Sequence, residues 1–582
     1  MGAQLLTWVD YTCFFVITSF TCMIGLYFGV YIRPKTTNEY LFGGKHMKWL
    51  LICLSLAAGG LSANTIIGHT TEMYLHGTQL ILICVSIVLG DMINYNLFFP
   101  VFSKLQVRNV YQYLEMRFSK YLKNLVVFIG VLKGVFNLSL ALYSPSLIFS
   151  QASGMNSHVI AVIMMLVCVF YTSLGGVKAV VWADTLQLTI TFSTLFAAVI
   201  MGTISIGGAD ILLKRASDGQ RLPIVDVNPD PTLRMSFWTI IFGYTITWCT
   251  LTCTSPSEVQ RYLSVPTSAL KRLFITHSLT FTAIKVTCMV LALVIYGKYF
   301  DCDPISTGEV KKSDQILAYF ITDVTSHIPG FNGIFVAAMF GSSLSISSTA
   351  LNTLSGIIYF EVTHWFVPKR YLKSGSELIF MKIFVVVLGI ISLGMMYALE
   401  NVGTIFETFH SVKGISTGAV FGIFVLGLFI PFANVKGAFC GCIVSFVLMS
   451  VIIVHSQIYI RNGLKKYVPK PLHTFGCNNT IPKNVTTSLF TAPINTSTVD
   501  EQPLWLFKIS FQYYDLIATI ISVIVGSVIS WLTKREDDPL VNPEHLSPIV
   551  RMFYKPLCDD DAQPQESKPL NETEQNQSTS LH

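Results

Sequence analysis

The chain of 582 residues is 52% hydrophobic and 12% charged, with a mean hydropathy of +0.57 and a formal net charge of +6. Because ordinary globular proteins contain about 25% charged residues, this composition excludes a soluble globular chain and indicates a membrane protein. The excess of positive charge is typical of cytosolic loops and indicates no nucleic-acid partner. Apolar windows of about 17–25 residues predict an all-α membrane protein with about thirteen transmembrane helices, which lie in chain order at 11–32, 50–72, 78–101, 124–150, 158–175, 183–206, 235–256, 274–297, 333–360, 378–398, 404–430, 436–455 and 513–532.

Lysine and arginine residues predict the orientation of the chain. The first helix lacks the basic segment of a signal peptide and is longer than such a peptide needs, so we interpret it as a retained helix. Basic residues cluster in alternate loops, which therefore share one side, and the positive-inside rule assigns that side to the cytosol. We expect the N-terminus outside, the C-terminus in the cytosol and a location in the plasma membrane. The clustered residues are Arg33, Lys35, Lys45, Lys48, Arg108, Arg117, Lys120, Arg261, Lys271, Arg272, Lys369, Arg370 and Lys373.

The predicted loops carry features that agree with this orientation. The long outside loop 456–512 contains three N-glycosylation sequons, at Asn478, Asn484 and Asn495. Cys302 and Cys477 also lie in predicted outside loops, where they either form a disulfide or remain free thiols. The polar C-terminal segment 536–582 is expected to be a disordered cytosolic tail.

The predicted helix 50–72 contains the sequence SLAAGGLSANTIIGHTTE, which is typical of an interrupted span. Non-helical backbone at membrane depth is tolerated only where it is buried in protein or lines a watery cavity. Transporters place such breaks at binding sites, where free carbonyls bind a cation and half-helix N-termini face an anion. Close helix packing is the alternative explanation for the glycines and Ser62. It fits Asn64, His69 and Glu72 less well, because these side chains need polar partners or water.

A second polar run, GSSLSISSTALNTLSG, occupies residues 341–356 inside another predicted helix. It contains eight hydroxyl residues and one asparagine. Ser342, Ser345 and Thr349 fall on one helical face at three- and four-residue spacing. Because neutral hydroxyl oxygens suit a monovalent cation that must bind and then leave, we favour a cavity lining over a packing contact for this run.

Six motifs follow one another between residues 38 and 455: EYLFGGKHMKW, YTSLGGVKAVVWADTLQ, NPDPTLRMSFWT, EVQRYLS, the serine run and ANVKGAFCG. Their order and spacing resemble the sodium/solute symporter family and, within it, the sodium-dependent multivitamin and monocarboxylate transporters. The resemblance implies two inverted five-helix repeats of the LeuT type, with one extra helix before them and two after. It also implies that helices 50–72 and 235–256 are both broken.

This arrangement divides the chain into consecutive parts. They are the outside N-terminus with the first helix and a basic cytosolic loop (1–49), the first inverted repeat (50–206), an outside loop (207–234), the second inverted repeat (235–430), two C-terminal helices (431–535) around the glycosylated loop 456–512, and the tail (536–582).

The resemblance also implies which residues bind sodium. Carried over one at a time, the ligands of the family's principal sodium site correspond to backbone carbonyls at Ser62, Thr65 and Ser342 and the hydroxyl of Ser345. The predicted sodium-binding residues also include Asp184 and Ser348, and Ser348 keeps a hydroxyl near a further sodium position of some members. Relatives have a second hydroxyl beside Ser345, but this chain has Ile346 there, so one ligand is missing. Asp184 either supports sodium coupling, as in relatives, or caps a helix N-terminus.

The substrate is expected between the two broken helices, within reach of Asn64, His69, Asp91, Phe136, Tyr143, Trp248, His410 and Lys413. Lys413 falls where relatives have an uncharged residue, and an ionisable group inside a span is a functional hypothesis by default. It pairs either with a substrate carboxylate or, structurally, with Asp91 or Glu407. Leu251 replaces the aromatic gate of sugar-transporting relatives, and Lys285 lies about one turn from their lysine. An organic anion is therefore a better candidate substrate than a sugar.

The resulting hypothesis is a sodium-driven symporter of a small monocarboxylate or vitamin-like carboxylate that works by alternating access. The serines and histidines lack the spacing of a nucleophile elbow or a metal site, so we expect no enzyme and no cofactor, only Na⁺ as coupling ion. The alternative is a sodium-independent transporter, substrate sensor or leak channel on the same scaffold, which the replacement of a ligand hydroxyl by Ile346 favours.

Overall fold

The computed structural model describes residues 6–31, 48–105, 107, 109–222, 225–362, 377–399, 405–462, 464–465, 467–477, 504–535 and 541–554. In these ranges the chain is helical and contains no strand. The α-helices are α1 (Trp8–Leu26), α2 (Trp49–Gly60), α3 (Ala63–His76), α4 (Ile83–Ile93), α5 (Phe99–Leu105), α6 (Val110–Arg117), α7 (Lys120–Ser153), α8 (Ser157–Ile206), α9 (Ala209–Asp218), α10 (Thr245–Thr254), α11 (Pro256–Leu263), α12 (Thr267–Lys298), α13 (Ile316–Val324), α14 (Phe331–Ile357), α15 (Glu377–Leu399), α16 (Ile405–Phe429), α17 (Val435–Arg461), α18 (Trp505–Lys508), α19 (Tyr514–Leu532) and α20 (Pro548–Phe553).

The described helices are long enough for a multi-pass membrane protein. Nine of them, some extended by a π or 3₁₀ turn, are long and apolar enough to cross a membrane, and the pair α2 and α3 adds a tenth if it forms one span. Ser157–Phe170 and Lys413–Phe429 are shorter apolar helical stretches. The count of thirteen spans stays a prediction.

The predicted segments 158–175 and 183–206 lie within one uninterrupted helix, α8, which contains 50 residues. The sequence analysis expected two separate spans. At about 1.5 Å per residue α8 is about 75 Å long along its backbone, more than twice the ~30 Å of a hydrocarbon core. The residues between the two predicted spans, GVKAVVW at 176–182, contain no proline, so no residue there prevents the helix from continuing.

The bundle is organised around α14. In the apolar stretch of that helix 83% of residues are buried, whereas the corresponding figure for α15 is 28%. α14 packs against α1, α7 and α8, so the serine run occupies the centre of the protein. Ile379, Ile383 and Ile390 of α15 are exposed, as expected of a helix that faces lipid.

The second predicted broken span, 235–256, differs from the expectation in where it is interrupted. Its middle, Thr239–Tyr244, is a π-helical turn that continues into α10. The interruption comes at its end, where Ser255 is extended (φ −79°, ψ 117°) and Pro256 begins α11. Proline explains this position, because it disfavours a helical conformation in the residue before it and cannot donate a backbone hydrogen bond.

The segments outside the bundle settle one open question and leave another untested. Cys302 and Cys477 form a disulfide, which closes a loop of 175 residues and confirms the first of the two alternatives. The three sequons lie outside the described residues.

Part of the predicted disordered tail is structured, since Pro543–His545 and α20 are helical. The Ser547 amide donates to the Leu428 carbonyl at 2.9 Å, so this part of the tail is structured against the bundle.

Candidate functional site

The break in the span 50–72 is present as predicted. α2 ends at Gly60 and α3 begins at Ala63, and their axes differ by 57°. Leu61 (φ −93°, ψ 66°) and Ser62 (φ −83°, ψ 161°) are non-helical. The Ser62 hydroxyl accepts a hydrogen bond from the Thr65 amide at 3.1 Å, so Ser62 is the N-cap of α3. The break therefore places helix-terminal backbone groups inside the bundle.

A cavity of about 220 Å³ lies at this break. It is lined by residues from both halves of the broken span and from α6, α7, α10, α11, α12, α14 and α16. Seven of the predicted site residues line it: Ser62, Asn64, Thr65, His69, Trp248, His410 and Lys413. The sequence pattern therefore located half of the fourteen predicted sodium and substrate residues at a common cavity.

Three lysines line this cavity, and two of them were not assigned a role by the sequence analysis. Lys413 on α16 is joined by Lys285 on α12 and Lys133 on α7. Among the described lining residues, Glu258 is the one carboxylate. Lys133 lies in the middle of the apolar segment 124–150, so the rule that singled out Lys413 would also have found it.

His69 connects Lys285, one of the three cavity lysines, to the broken helix. Its Nδ1 lies 2.8 Å from the Thr65 carbonyl and its Nε2 lies 3.0 Å from the Lys285 ammonium. A carbonyl only accepts hydrogen bonds, so Nδ1 carries the proton and Nε2 accepts from Lys285. The imidazole thus bridges a cavity lysine and one of the carbonyls predicted to bind sodium. That carbonyl oxygen keeps a second lone pair for a cation.

Asp184 lies within α8, fully buried, so its predicted alternative role as a helix N-cap is wrong. Its carboxylate accepts hydrogen bonds from the hydroxyls of Ser55, at 2.6 Å, and Ser345, and from the Arg261 guanidinium at 3.1 Å. Arg261 also donates to the Thr349 hydroxyl at 2.6 Å. These bonds join α2, α8, α11 and α14 beside the cavity.

The serine run combines two roles. Thr349 and Thr353 line the cavity, together with Ile346. Ser342 and Ser348 are buried and donate to the carbonyls of the residues three positions earlier, at 2.9 Å each. Most of the serines therefore lie in helix contacts, and the expectation that the run is mainly a cavity lining holds for the threonines alone. Small hydroxyl residues on every face of a central helix let neighbouring backbones approach closely.

Three predicted substrate residues, Asp91, Phe136 and Tyr143, are not among the residues that line the cavity. Asp91 accepts from the Trp248 indole at 2.7 Å and from the Ser278 hydroxyl at 2.6 Å. It therefore holds Trp248, which does line the cavity. Tyr143 accepts from the Lys312 ammonium at 3.0 Å. The side chain of Glu407, the other predicted structural partner of Lys413, lies outside the described residues.

Comparison with known proteins identifies the family. Residues 40–445 match the model of the sodium:solute symporter family. The chain belongs to this family. Sodium-coupled monocarboxylate transporter 2 of Mus musculus is 31% identical, over 94% of this chain and 88% of its own length. Sodium-coupled monocarboxylate transporter 1 of Homo sapiens is 30% identical over 91% and 88%, and the sodium-dependent multivitamin transporter of Oryctolagus cuniculus is 30% identical over 93% and 85%.

A solved structure shows the same fold. A Na⁺-coupled sialic acid symporter aligns with a TM-score of 0.71 at 20% identity, over 92% of this chain and 99% of that chain. The chain is therefore a multi-pass membrane transporter of a sodium-coupled symporter family, and its relatives are transporters rather than enzymes. Within the described residues, no group of three or more His, Cys, Asp or Glu side chains is placed to hold a metal ion.

Some of the predicted sodium-binding residues line the cavity, and the others lie in contacts between helices beside it. Ser62 and Thr65 line the cavity, and so does Ile346, which replaces a ligand hydroxyl. Ser345 precedes Ile346 and donates to Asp184. Because Ile346 lines the cavity, a hydroxyl introduced at this position can be tested as a sodium ligand. The sodium role of these residues stays a prediction.

Replacing Ile346 by threonine is expected to lower the sodium concentration that gives half-maximal transport about fivefold. One added hydroxyl ligand contributes about 1 kcal/mol, on the scale of an ordinary hydrogen bond. Titrating sodium in an uptake assay measures this shift, and Ile346→Val is the control because it shortens the side chain without adding oxygen. If both variants keep the wild-type sodium dependence, another oxygen already occupies the position.

Proposed function

We propose that this symporter couples sodium to the uptake of small organic anions across the plasma membrane by alternating access. The observation that carries the proposal is the convergence of Lys133, Lys285 and Lys413 on one small cavity at the broken span. The described lining carries these three ammonium groups and the one carboxylate of Glu258. This excess of positive charge favours anions over neutral solutes.

The size of the cavity limits the substrate. Its volume of about 220 Å³ is below the range of about 300–1,000 Å³ that is typical of pockets for drug-sized ligands. Short-chain acids fit this volume better than a vitamin does. The names of two relatives, both monocarboxylate transporters, agree with short-chain acids, whereas the name of the third is that of a multivitamin transporter.

Sodium supplies the driving force in this proposal. The carbonyls of Ser62, Thr65 and Ser342 and the hydroxyl of Ser345 are the proposed ligands, and Asp184 and Ser348 lie close to Ser345 through hydrogen bonds. At a membrane potential near −70 mV, each entering charge contributes roughly 1.6 kcal/mol. In this proposal Na⁺ binds at the backbone carbonyls of the break, the N-terminal end of α3 faces the anion, and the entry of the two is coupled.

Uptake measured in sodium and in choline medium tests the function. Cells that express the protein are expected to accumulate radiolabelled butyrate or lactate in a saturable manner in sodium, and not in choline, because the anion site is completed only with the ion. Mock-transfected cells are the control. Equal uptake in the two media would remove the coupling, and a steady current without saturable uptake would favour the leak-channel alternative.

A further inference from the structure

We infer that Trp248, positioned by Asp91, determines the longest straight-chain monocarboxylate that the cavity accepts. The inference rests on the proposed function, since it narrows the substrate class of the same cavity. It concerns the uncharged part of the lining, in which Trp248 has the largest side chain. Trp248 is only 2% exposed, so its indole is enclosed by neighbouring residues on every side except that of the cavity.

Aromatic rings follow a lysine along the face of α12 that lines the cavity. Lys285, Phe281 and His277 succeed one another at four-residue spacing, and all three line the cavity. Four residues of helix advance about 6 Å along its axis. The Trp248 indole packs edge-on against the Phe281 ring, with centroids 4.9 Å apart, and stacks on the His277 ring at 5.8 Å. A carboxylate bound near Lys285 therefore has these three rings, the aromatic wall, about one helical turn away along α12.

The two largest rings of the aromatic wall lie directly against helix backbone. A Cβ atom on Gly60, at the break, would come within 1.9 Å of the Phe281 Cζ atom. A Cβ atom on Gly90 of α4 would come within 2.7 Å of the Trp248 Cδ1 atom. Because protein interiors are close-packed, rings in such contact with backbone have little room to move. A carbon chain long enough to reach them meets a fixed surface.

Asp91 holds the indole from outside the cavity. Its Oδ1 accepts a hydrogen bond from Trp248 Nε1 at 2.7 Å, and its Oδ2 accepts one from the Ser278 hydroxyl at 2.6 Å. These bonds join α4 to α10 and α12, which both pack against it. An indole N–H only donates, so the orientation of the Trp248 ring depends on this acceptor. Asp91 is 4% exposed and is not among the lining residues, so it acts as a positioning residue.

Competition between straight-chain acids and radiolabelled butyrate tests the inference on the wild-type protein. Each methylene group that enters an apolar site lowers the half-maximal inhibitory concentration about fourfold. In a series from acetate to octanoate in sodium medium, we expect this concentration to fall up to a limiting chain length. Beyond that length it should rise, because the chain then meets Trp248. A concentration that falls steadily through octanoate would overturn the inference.

Two substitutions are expected to increase the limiting chain length. Trp248→Leu removes the ring, and Asp91→Ala removes the acceptor of the ring and opens space beside it. Each should raise the limit by about two carbons and lower the half-maximal concentration of the first excluded acid, relative to that of butyrate, about tenfold.

Two further variants are the controls. Asp91→Asn keeps an amide oxygen that accepts from the indole, so it should keep the wild-type limit. Trp238→Phe should also keep it, because Trp238 does not line the cavity and its indole donates to the Val227 carbonyl at 2.8 Å. Surface biotinylation shows which variants reach the membrane, and a general loss of stability would lower that amount without changing the limiting chain length.

The outcomes separate this inference from the proposed function. If Trp248→Leu and Asp91→Ala transport butyrate with the wild-type limit, the inference is overturned and the proposed function stands. If Asp91→Asn shifts the limit as far as Asp91→Ala does, Asp91 does not position the indole through this hydrogen bond. Should neither of the first two variants reach the surface, Trp248→Phe, which keeps a smaller ring, must still raise the limit by about one carbon. Uptake of butyrate that does not depend on sodium would contradict the proposed function itself.

Discussion

Replacing Arg261 by methionine is expected to lower the free energy of unfolding by about 3–5 kcal/mol, because it leaves the Asp184 carboxylate buried without the cation that pairs with it. Asp184 is fully buried, and the Arg261 side chain is 7% exposed. The guanidinium also donates to the Ser55 carbonyl at 2.6 Å and to the Thr349 hydroxyl at 2.6 Å. One side chain therefore holds α2, α8 and α14 together beside the break.

Thermal unfolding in detergent and surface biotinylation measure this loss. The double variant Asp184→Leu with Arg261→Met should recover part of the stability, because apolar replacement of both partners removes the stranded charge. Asp301→Asn is the control, since it disrupts the Arg215–Asp301 pair, whose side chains are 29% and 46% exposed. Pairs of that kind contribute about 1 kcal/mol or less. Wild-type stability in Arg261→Met would show that the pair does not stabilise the fold.

The same pair provides a test of the sodium role predicted for Asp184. Asp184→Asn keeps the size of the side chain but loses the charge. The Ser55 and Ser345 hydroxyls donate to different oxygens of Asp184, so the single amide oxygen of asparagine accepts from one of them while its NH₂ group can donate to the other. In protein that reaches the surface, a change in the sodium dependence of uptake supports a role in coupling. Reduced surface expression with an unchanged sodium dependence supports a purely structural role.

The features that the sequence predicted correctly are those set by local chemistry. Two glycines shortly before Ser62 favour an interrupted helix, because glycine and an N-cap serine both favour non-helical backbone. The apolar segments likewise predicted the helices. Lys133 could also have been predicted as a site residue, because a lysine inside an apolar segment is unusual whatever surrounds it.

The features that the sequence did not predict depend on distant contacts. Asp184 and Arg261 are separated by 77 positions, and Asp91 and Trp248 by 157, so no local pattern shows that they are bonded. The same limit applies to the two cysteines, for which pairing and free thiols were equally consistent with the loops. Which serines of α14 face the cavity depends on how its neighbours pack. The uninterrupted course of α8 depends on packing for the same reason.

The ion pair between Glu72 and Arg234 holds the other half of the broken span. The Arg234 Nε donates to Glu72 Oε1 at 2.5 Å and its Nη2 donates to Oε2 at 2.9 Å. The two side chains are 4% and 10% exposed. The guanidinium also lies over the rings of Tyr467, at 4.7 Å, and Phe511, at 5.2 Å. Paired and stacked in this way, Arg234 ties α3 to the segment that precedes the Thr239–Tyr244 turn and to residues near the C-terminal helices.

Glu72→Gln is therefore expected to lower the free energy of unfolding by about 3–5 kcal/mol, because it keeps the shape of the side chain but leaves the guanidinium without its counter-charge. Arg234→Lys should also destabilise the protein, since an ammonium makes neither the bidentate contact nor the flat stacking on two rings. His76→Gln is the control, because His76 Nε2 lies 3.9 Å from Glu72 and is too distant for a hydrogen bond. The midpoint of thermal unfolding, measured on purified protein in detergent, ranks the three variants. If Glu72→Gln unfolds at the same temperature as His76→Gln, the pair does not hold α3, and the stability of the broken span must come from its apolar contacts alone.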